Sequence, residues 1–184
     1  ACKCAHVLLW QSELGVCIQM HKQAGQDTTG LTIVAKHALA GGILGNAVAK
    51  RAIHRTYYAV CSGCTPACMR ISAPIARKDA STIERCVDFK RGEYAVTDFI
   101  RIKYNPDNNL SLVKLRLLTG RTHQIRVHMK YIGFPLIGDF LYNPDYTYIS
   151  RQALHSGRLV FTHPVTGQKM NLISDIPSDM KSLF

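Results

Sequence analysis

The sequence predicts an α+β fold, one domain in which antiparallel strands outnumber a few helices. Three observations predict it. Short β-branched and aromatic stretches recur along the chain, and two of them, 94–104 and 110–118, are joined by the turn Asn105-Pro-Asp-Asn-Asn109. Two segments, 38–51 and 122–132, carry apolar residues at helical spacing. The chain has 184 residues, 47% hydrophobic and 19% charged, which suits a single packed core spanning 1–184.

The elements follow in order. Residues 31–36 read as a short strand after Gly30. In 38–51, Leu39, Ile43, Leu44, Ala47 and Val48 define an apolar helix face, with Lys50 and Arg51 in the last turn. Residues 53–60 are β-branched and aromatic and predict a strand, which Gly63 and Pro66 end. A further strand over 69–75 precedes a basic loop with Arg77 and Lys78. The hairpin of 94–104 and 110–118 places Ile100, Ile102 and Tyr104 on one face of its first strand, and Val113, Leu115 and Leu117 on one face of its second. Gly120 ends it, and in 122–132 Ile125, His128, Met129 and Ile132 share a helix side. Residues 157–163 and 168–175 form a last hairpin around Val165-Thr-Gly167.

Composition narrows the function. Net charge is +11, from 23 Lys+Arg against 12 Asp+Glu, a balance that draws polyanions such as nucleic acid. No run approaches the ~18 apolar residues of a membrane span. No signal-peptide pattern is visible, and the chain begins without Met, as a processed or truncated end would. The seven Cys are an odd number, which fits reduced thiols in the cytoplasm. Cys61, Cys64 and Cys68 are spaced like part of a zinc site, but no further ligand follows at finger spacing, and Cys61 ends an apolar strand. The expectation is no metal.

Gly120-Arg-Thr-His-Gln-Ile-Arg-Val-His128 is the most informative run. It is a strand end turning into a helix, with Arg121, Arg126 and Lys130 near the helix start and along it. On physical grounds alone this is a basic surface helix, or an anion site at a helix N-terminus. As a motif, the run resembles the signature of RluA-type RNA pseudouridine synthases. The resemblance continues through Tyr131-Ile-Gly-Phe-Pro-Leu-Ile-Gly-Asp139, Leu141-Tyr142, Gln152-Ala-Leu-His155 and Leu159-Val-Phe-Thr-His-Pro164. Upstream, Asp27-Thr-Thr-Gly-Leu-Thr-Ile-Val-Ala-Lys36, His54-Arg-Thr-Tyr-Tyr-Ala-Val60 and Ala73-Pro-Ile75 also match, in the family's order.

The resemblance implies a mixed, mainly antiparallel sheet flanked by helices. It implies isomerisation of uridine to pseudouridine in structured rRNA or tRNA, without metal or organic cofactor, by a cytoplasmic monomer. The N-glycosidic bond breaks, the base turns, and a carbon–carbon bond forms, so the uridine must leave its stack. By resemblance Tyr57 is the active-site tyrosine, and Arg126 pairs with the catalytic aspartate. Leu154 lies near the base, and Arg121, His123, Gln124 and Lys130 are candidates for phosphate or sugar contacts.

The pattern fails at the catalytic aspartate. The family has His-Arg-Leu-Asp, one residue, then Asp-Thr-Ser-Gly; aligning on Asp27-Thr-Thr-Gly30 puts Lys22, Gln23, Ala24 and Gly25 on the first four positions. Alternatively, 16–25 resembles an earlier family strand, with the aspartate-bearing piece between the two motifs lost. The first alignment leaves Gly25 where a carboxylate is needed, the second matches Gly25 to the family's own glycine, and both leave the aspartate absent; residues 1–26 match poorly. Asp27 is a weak substitute, because a nucleophile displaced by several ångströms loses its geometry. Asp139 belongs to a separate motif and is expected to be structural. The sequence therefore implies an impaired pseudouridine synthase, or a non-catalytic RNA-binding protein that keeps the fold.

Overall fold

The structure is a computed structural model describing residues 7–11, 16–21, 28–80 and 82–184, the first two stretches by backbone path. Eleven strands and three helices are described. They are β1 (Val7–Gln11), β2 (Val16–His21), β3 (Thr29–Ala35), α1 (Ala38–Ala49), β4 (His54–Ser62), β5 (Cys68–Ser72), β6 (Ile75–Arg77), β7 (Arg85–Val87), β8 (Val96–Asn105), β9 (Leu110–Leu117), α2 (Gln124–Tyr131), β10 (Leu154–Thr162), β11 (Lys169–Ile173) and α3 (Ser178–Lys181). Nine strands form one sheet in the order β1-β2-β3-β10-β4-β9-β8-β5, with β11 also on β10; β6 and β7 make a separate hairpin. Among the described residues the pairing of β3 with β10 is parallel and the others are antiparallel. The α+β expectation holds, and β1 and β2 extend the same sheet.

Strand alternation gives the sheet two faces. On the front, Ala59, Cys61, Ile71, Phe99, Val113, Leu115 and Leu154 pack under Ile125 and Met129 of α2. Beside them, Leu31, Leu159 and Phe161 pack against Ala40 and Leu44 of α1. On the back, Val60, Leu110, Leu112 and Ile137 pack with Met180 of α3. A cleft is left between α1 and α2 on the front, over the middle of the sheet.

Several details differ from expectation. The buried face of α1 is Ala40 and Leu44, while Leu39 is 68% exposed and Ile43 and Val48 also face out. The small Ala40 lets the helix approach the sheet closely, and the bulkier residues turn outward. The strand expected over 69–75 is divided, because Ala73 and Pro74 carry the chain from β5 into the β6–β7 hairpin. In β8 the face turned to α2 carries Thr97 and Phe99; Ile100 lies on the opposite face, paired with Lys114, and Ile102 sits at the bulge between Arg101 and Lys103, so both isoleucines are exposed.

Two glycines are fixed by close approach. At Gly157 a Cβ would lie 2.5 Å from the Tyr58 ring, at the bulge where β10 crosses β4. Gly30, at φ +99°, brings β3 against β10, where a Cβ would meet the Ser156 carbonyl oxygen at 2.3 Å.

Candidate active site

The cleft measures about 660 Å³. One wall is the end of α1 with Val48, Ala49 and Arg51, the floor holds Arg55 and Tyr57 of β4, and the far wall is the 117–121 segment leading to α2. Arg55 and Tyr57 are two residues apart on one strand and so share a face. Tyr57 is half-buried and leans on the core cluster that contains Leu154. Burial pushes its hydroxyl pKa up, against a smaller lowering by Arg55, so the phenol is neutral at physiological pH. Leu154 is buried in the core beside Tyr57, which puts both resemblance-derived residues on the same cluster. Tyr58, its neighbour, points to the back face.

Gln124 fixes the entrance to α2. Its Oε1 accepts from the Thr119 hydroxyl at 2.8 Å and from the Arg121 amide at 2.9 Å. Its Nε2 donates to the Val96 carbonyl at 2.9 Å and the Thr97 hydroxyl at 3.0 Å. The side chain is 2% exposed and fully hydrogen-bonded, so it holds the 119–123 loop on β8 and has nothing left to offer RNA. This corrects the expectation that it contacts phosphate or sugar.

The chain of polar contacts continues inward. His128 is completely buried, with Nε2 at 2.9 Å from the Ala73 carbonyl and Nδ1 at 2.9 Å from the Thr97 hydroxyl. A carbonyl only accepts, so Nε2 carries the proton and Thr97 donates to Nδ1. Burial pulls the His128 pKa down, partly offset by the Ala73 carbonyl.

Arg126 and Asp139 form a fork-to-fork pair, Nε to Oδ2 at 2.7 Å and Nη2 to Oδ1 at 2.6 Å. Asp139 Oδ1 also accepts from the amides of Leu141 and Tyr142, both at 3.1 Å. The guanidinium lies 4.8 Å from the Tyr142 ring centroid and 5.1 Å from that of Phe140. Asp139 thus supplies a carboxylate to the arginine that the resemblance gives to a catalytic aspartate. The sequence motif contained Asp139 and Tyr142 without revealing that they enclose Arg126, because the contact crosses a loop.

The other candidates lie around this centre. His123, at φ +58°, shares a hydrogen bond with the Tyr142 hydroxyl at 2.9 Å. Its pKa is lowered, chiefly by burial and then by Arg126 and Arg85. Arg121 is on the cleft rim, where it pairs with Glu93 and donates from Nε to the Tyr94 carbonyl at 3.1 Å. Lys130 is exposed on the far side of α2, over the Tyr142 ring, and does not line the cleft. Arg51 and Arg55 were not singled out for function. The i, i+2 spacing of Arg55 and Tyr57 was the signal that could have found the second of them.

Gly25 and Asp27 lie outside the described residues. The chain is described again from Thr28, whose hydroxyl accepts from Gln152 Nε2 at 3.1 Å; the next hydroxyl, Thr29, is 2.9 Å from His155 Nδ1. Those contacts attach the segment after Asp27 to β10 beside Leu154. Cys61 is buried, where desolvation raises its thiol pKa, whereas exposed Cys64 accepts from Arg101 Nη1 at 2.7 Å. Among the described residues no group of three or more His, Cys, Asp or Glu is placed to hold a metal. None of their helices is long and apolar enough to cross a membrane.

The same fold recurs among solved structures. The solved human RNA pseudouridylate synthase domain containing 1 superposes with a TM-score of 0.78 at 21% identity, over 92% of this chain and 83% of that one. Residues 13–131 match the family model described as RNA pseudouridylate synthase. An RNA pseudouridine synthase of Bacillus subtilis, YjbO, itself described as uncharacterized, is 46% identical over 161 residues, covering 86% of this chain and 56% of that protein. The ribosomal large subunit pseudouridine synthase D of Zymomonas mobilis is 37% identical over 169 residues, 86% of this chain and 53% of that protein. The chain belongs to the RNA pseudouridylate synthase family, as an RluA-type member. It spans about half the length of the curated relatives it matches.

Proposed function

We propose that this chain is an RNA pseudouridine synthase domain that holds a uridine of rRNA or tRNA in the Tyr57 cleft, with its isomerase chemistry impaired. The observation that carries the reading is the cleft itself: a neutral aromatic ring on an apolar floor, ringed by Arg51, Arg55 and Arg121. A base taken out of its stack finds a ring to lie against, and the adjoining phosphates find guanidinium groups. Tyr57 would hold the base, Arg55 and Arg51 the flanking phosphates, and Leu154 the apolar side of the pocket. No cofactor is required, and the protein acts in the cytoplasm as a monomer.

The impairment rests on Gly25, which has no side chain to act as nucleophile or base. Loss of a nucleophile costs several orders of magnitude in rate. A second reading, a non-catalytic RNA-binding protein, is favoured by the Arg126–Asp139 pair. That pair already neutralises the arginine, so the fold has no need of a catalytic carboxylate to satisfy a buried charge.

The test is to incubate the chain with rRNA and tRNA from a strain lacking related synthases, and to map pseudouridine by chemical modification and primer extension. RNA binding without new sites is the expected result. New sites that vanish in Asp27→Ala would mean that a neighbouring carboxylate has taken over the chemistry.

A further inference from the structure

The back of the sheet carries a basic row of which only Arg116 also lines the cleft. In-register pairing places Arg158 of β10 opposite Thr56 of β4, Thr56 opposite Arg116 of β9, Arg116 opposite Asp98 of β8, and Asp98 opposite Arg70 of β5. Directly paired residues point to the same side, so these five side chains form one line across five strands. The row is exposed at Arg158, Arg116 and Arg70. Asp98 is committed to Arg70 through a two-pronged pair at 2.6 and 2.8 Å. Lys114, one step along β9 on the same face, makes no hydrogen bond or ion pair among the described residues and is exposed. Arg158 spends only its Nε, on Asn171 at 2.9 Å.

Arg116, Lys114 and Arg158 line a trough of about 520 Å³ that also contains Ile100 and Val160. Strands lie ~4.8 Å apart, so Arg158 and Arg116, two strands apart, stand roughly 10 Å from each other. A point charge for a small anion would cluster its cations more tightly; a spaced line suits a polymer with repeating charges. The trough is also continuous with the front cleft. Both are lined by His54, Arg55 and Arg116, at the end of the sheet where β4 begins and β9 ends.

We infer that RNA leaving the Tyr57 cleft runs over this end of β4 and β9 and lays its phosphates on Arg116, Arg158 and Lys114 on the back of the sheet. The inference rests on the RNA-binding reading above and extends it. The contacts are with phosphate and carry no base information, so they serve affinity and orientation for any long RNA. An RNA too short to round the sheet end gains nothing from them.

The experiment compares the parent chain with the double variant Lys114→Gln/Arg158→Gln, which spares Arg116 on the shared rim. Both replaced residues are exposed, so melting curves should coincide. Binding of bulk transfer RNA and of a short oligouridylate is measured across a salt series. Each phosphate contact contributes ~0.7–0.9 to the slope of log K against log salt, so the variant's slope for transfer RNA should fall by about 1.5, with oligouridylate binding unchanged. A photo-crosslinking residue at Ile100 should capture transfer RNA and not the oligouridylate. If the variant keeps the parental slope, the back-face path is wrong while the cleft reading stands. If the parent itself binds neither RNA, both readings are wrong.

Discussion

Asp139 accepts two hydrogen bonds from Arg126 and two from backbone amides, and its side chain has no exposed surface. Each carboxylate oxygen is therefore occupied, and the guanidinium is covered on its faces by Phe140 and Tyr142. Replacing Asp139 by Ala removes the counter-charge and strands Arg126 at 6% exposure. Breaking a buried pair from one side costs ~3–5 kcal/mol. Asp139→Ala should lose that much in urea unfolding, and Arg126→Met/Asp139→Leu should recover a large part of it. If the double variant is no more stable than the single one, the pair is not the main content of this contact.

Gln124 makes a second, separable prediction. Gln124→Leu takes the acceptor from the Thr119 hydroxyl and the Arg121 amide, while the Val96 carbonyl keeps the Leu118 amide, and each buried unsatisfied group costs ~1–3 kcal/mol. Stability should fall by at least that much. RNA affinity of the folded variant should stay at the parental value, since Gln124 faces no solvent. A weaker affinity in a variant whose melting curve shows it folded would return Gln124 to the RNA surface.

The two residues show what sequence can carry. Much of the order of strands and helices was legible because alternation and helical spacing are local, as in 110–118 and 122–132, while the β6–β7 hairpin and α3 were not. The polar interior was not. Gln124 and Arg126 lie in a helix with charged neighbours, and residue type alone makes them surface residues; only the sheet beneath and the 139–142 loop above bury them. For α1 the spacing was right and the face wrong, because how close a helix comes to a sheet depends on small residues such as Ala40 and not on the largest apolar ones. Arg55 was readable from its alternation with Tyr57, while the partners of Arg126 were not.

His128 predicts a direction for acid stability. Its folded pKa is depressed below 6.5 by burial. Between the folded and unfolded values the unfolded chain binds more protons, so stability rises with pH there. The contribution is complete above the unfolded pKa and is lost as pH falls from about 6.5 towards the folded pKa. His123 and His155 shift the same way, for the same leading reason. His128→Gln should therefore flatten part of the acid limb in denaturant midpoints measured between neutral pH and about pH 5, and leave the rest to the other two. An acid limb of unchanged steepness would place the proton uptake elsewhere.

Gly157→Ala brings a Cβ to within 2.5 Å of the Tyr58 ring and 3.3 Å of the Ser174 carbonyl oxygen. Overpacking of this kind costs ~1–3 kcal/mol. Because both contacts under 3 Å belong to the Tyr58 side chain, Gly157→Ala should be far better tolerated in a Tyr58→Ala background, and a double-mutant cycle should show coupling of the same order. Additive effects would mean that the strain lies in the β10 backbone and not against the ring.

Tyr57 decides whether the cleft holds a base. Stacking of a base on an aromatic ring is worth ~1–3 kcal/mol, so Tyr57→Ala should weaken binding of a short oligouridylate by roughly 5- to 150-fold. Tyr57→Phe keeps the ring and should bind close to the parent. Because burial raises the Tyr57 pKa, the phenol stays neutral through mildly alkaline pH, and the difference between Tyr57 and Phe should not grow as pH rises from 7 to about 9. Tyr57 also packs on the core cluster, so the Ala variant is compared at a temperature where its melting curve shows it folded. A Phe variant as weak as Ala would shift the interaction from the ring to the hydroxyl, and an Ala variant as strong as the parent would take the uridine out of this cleft.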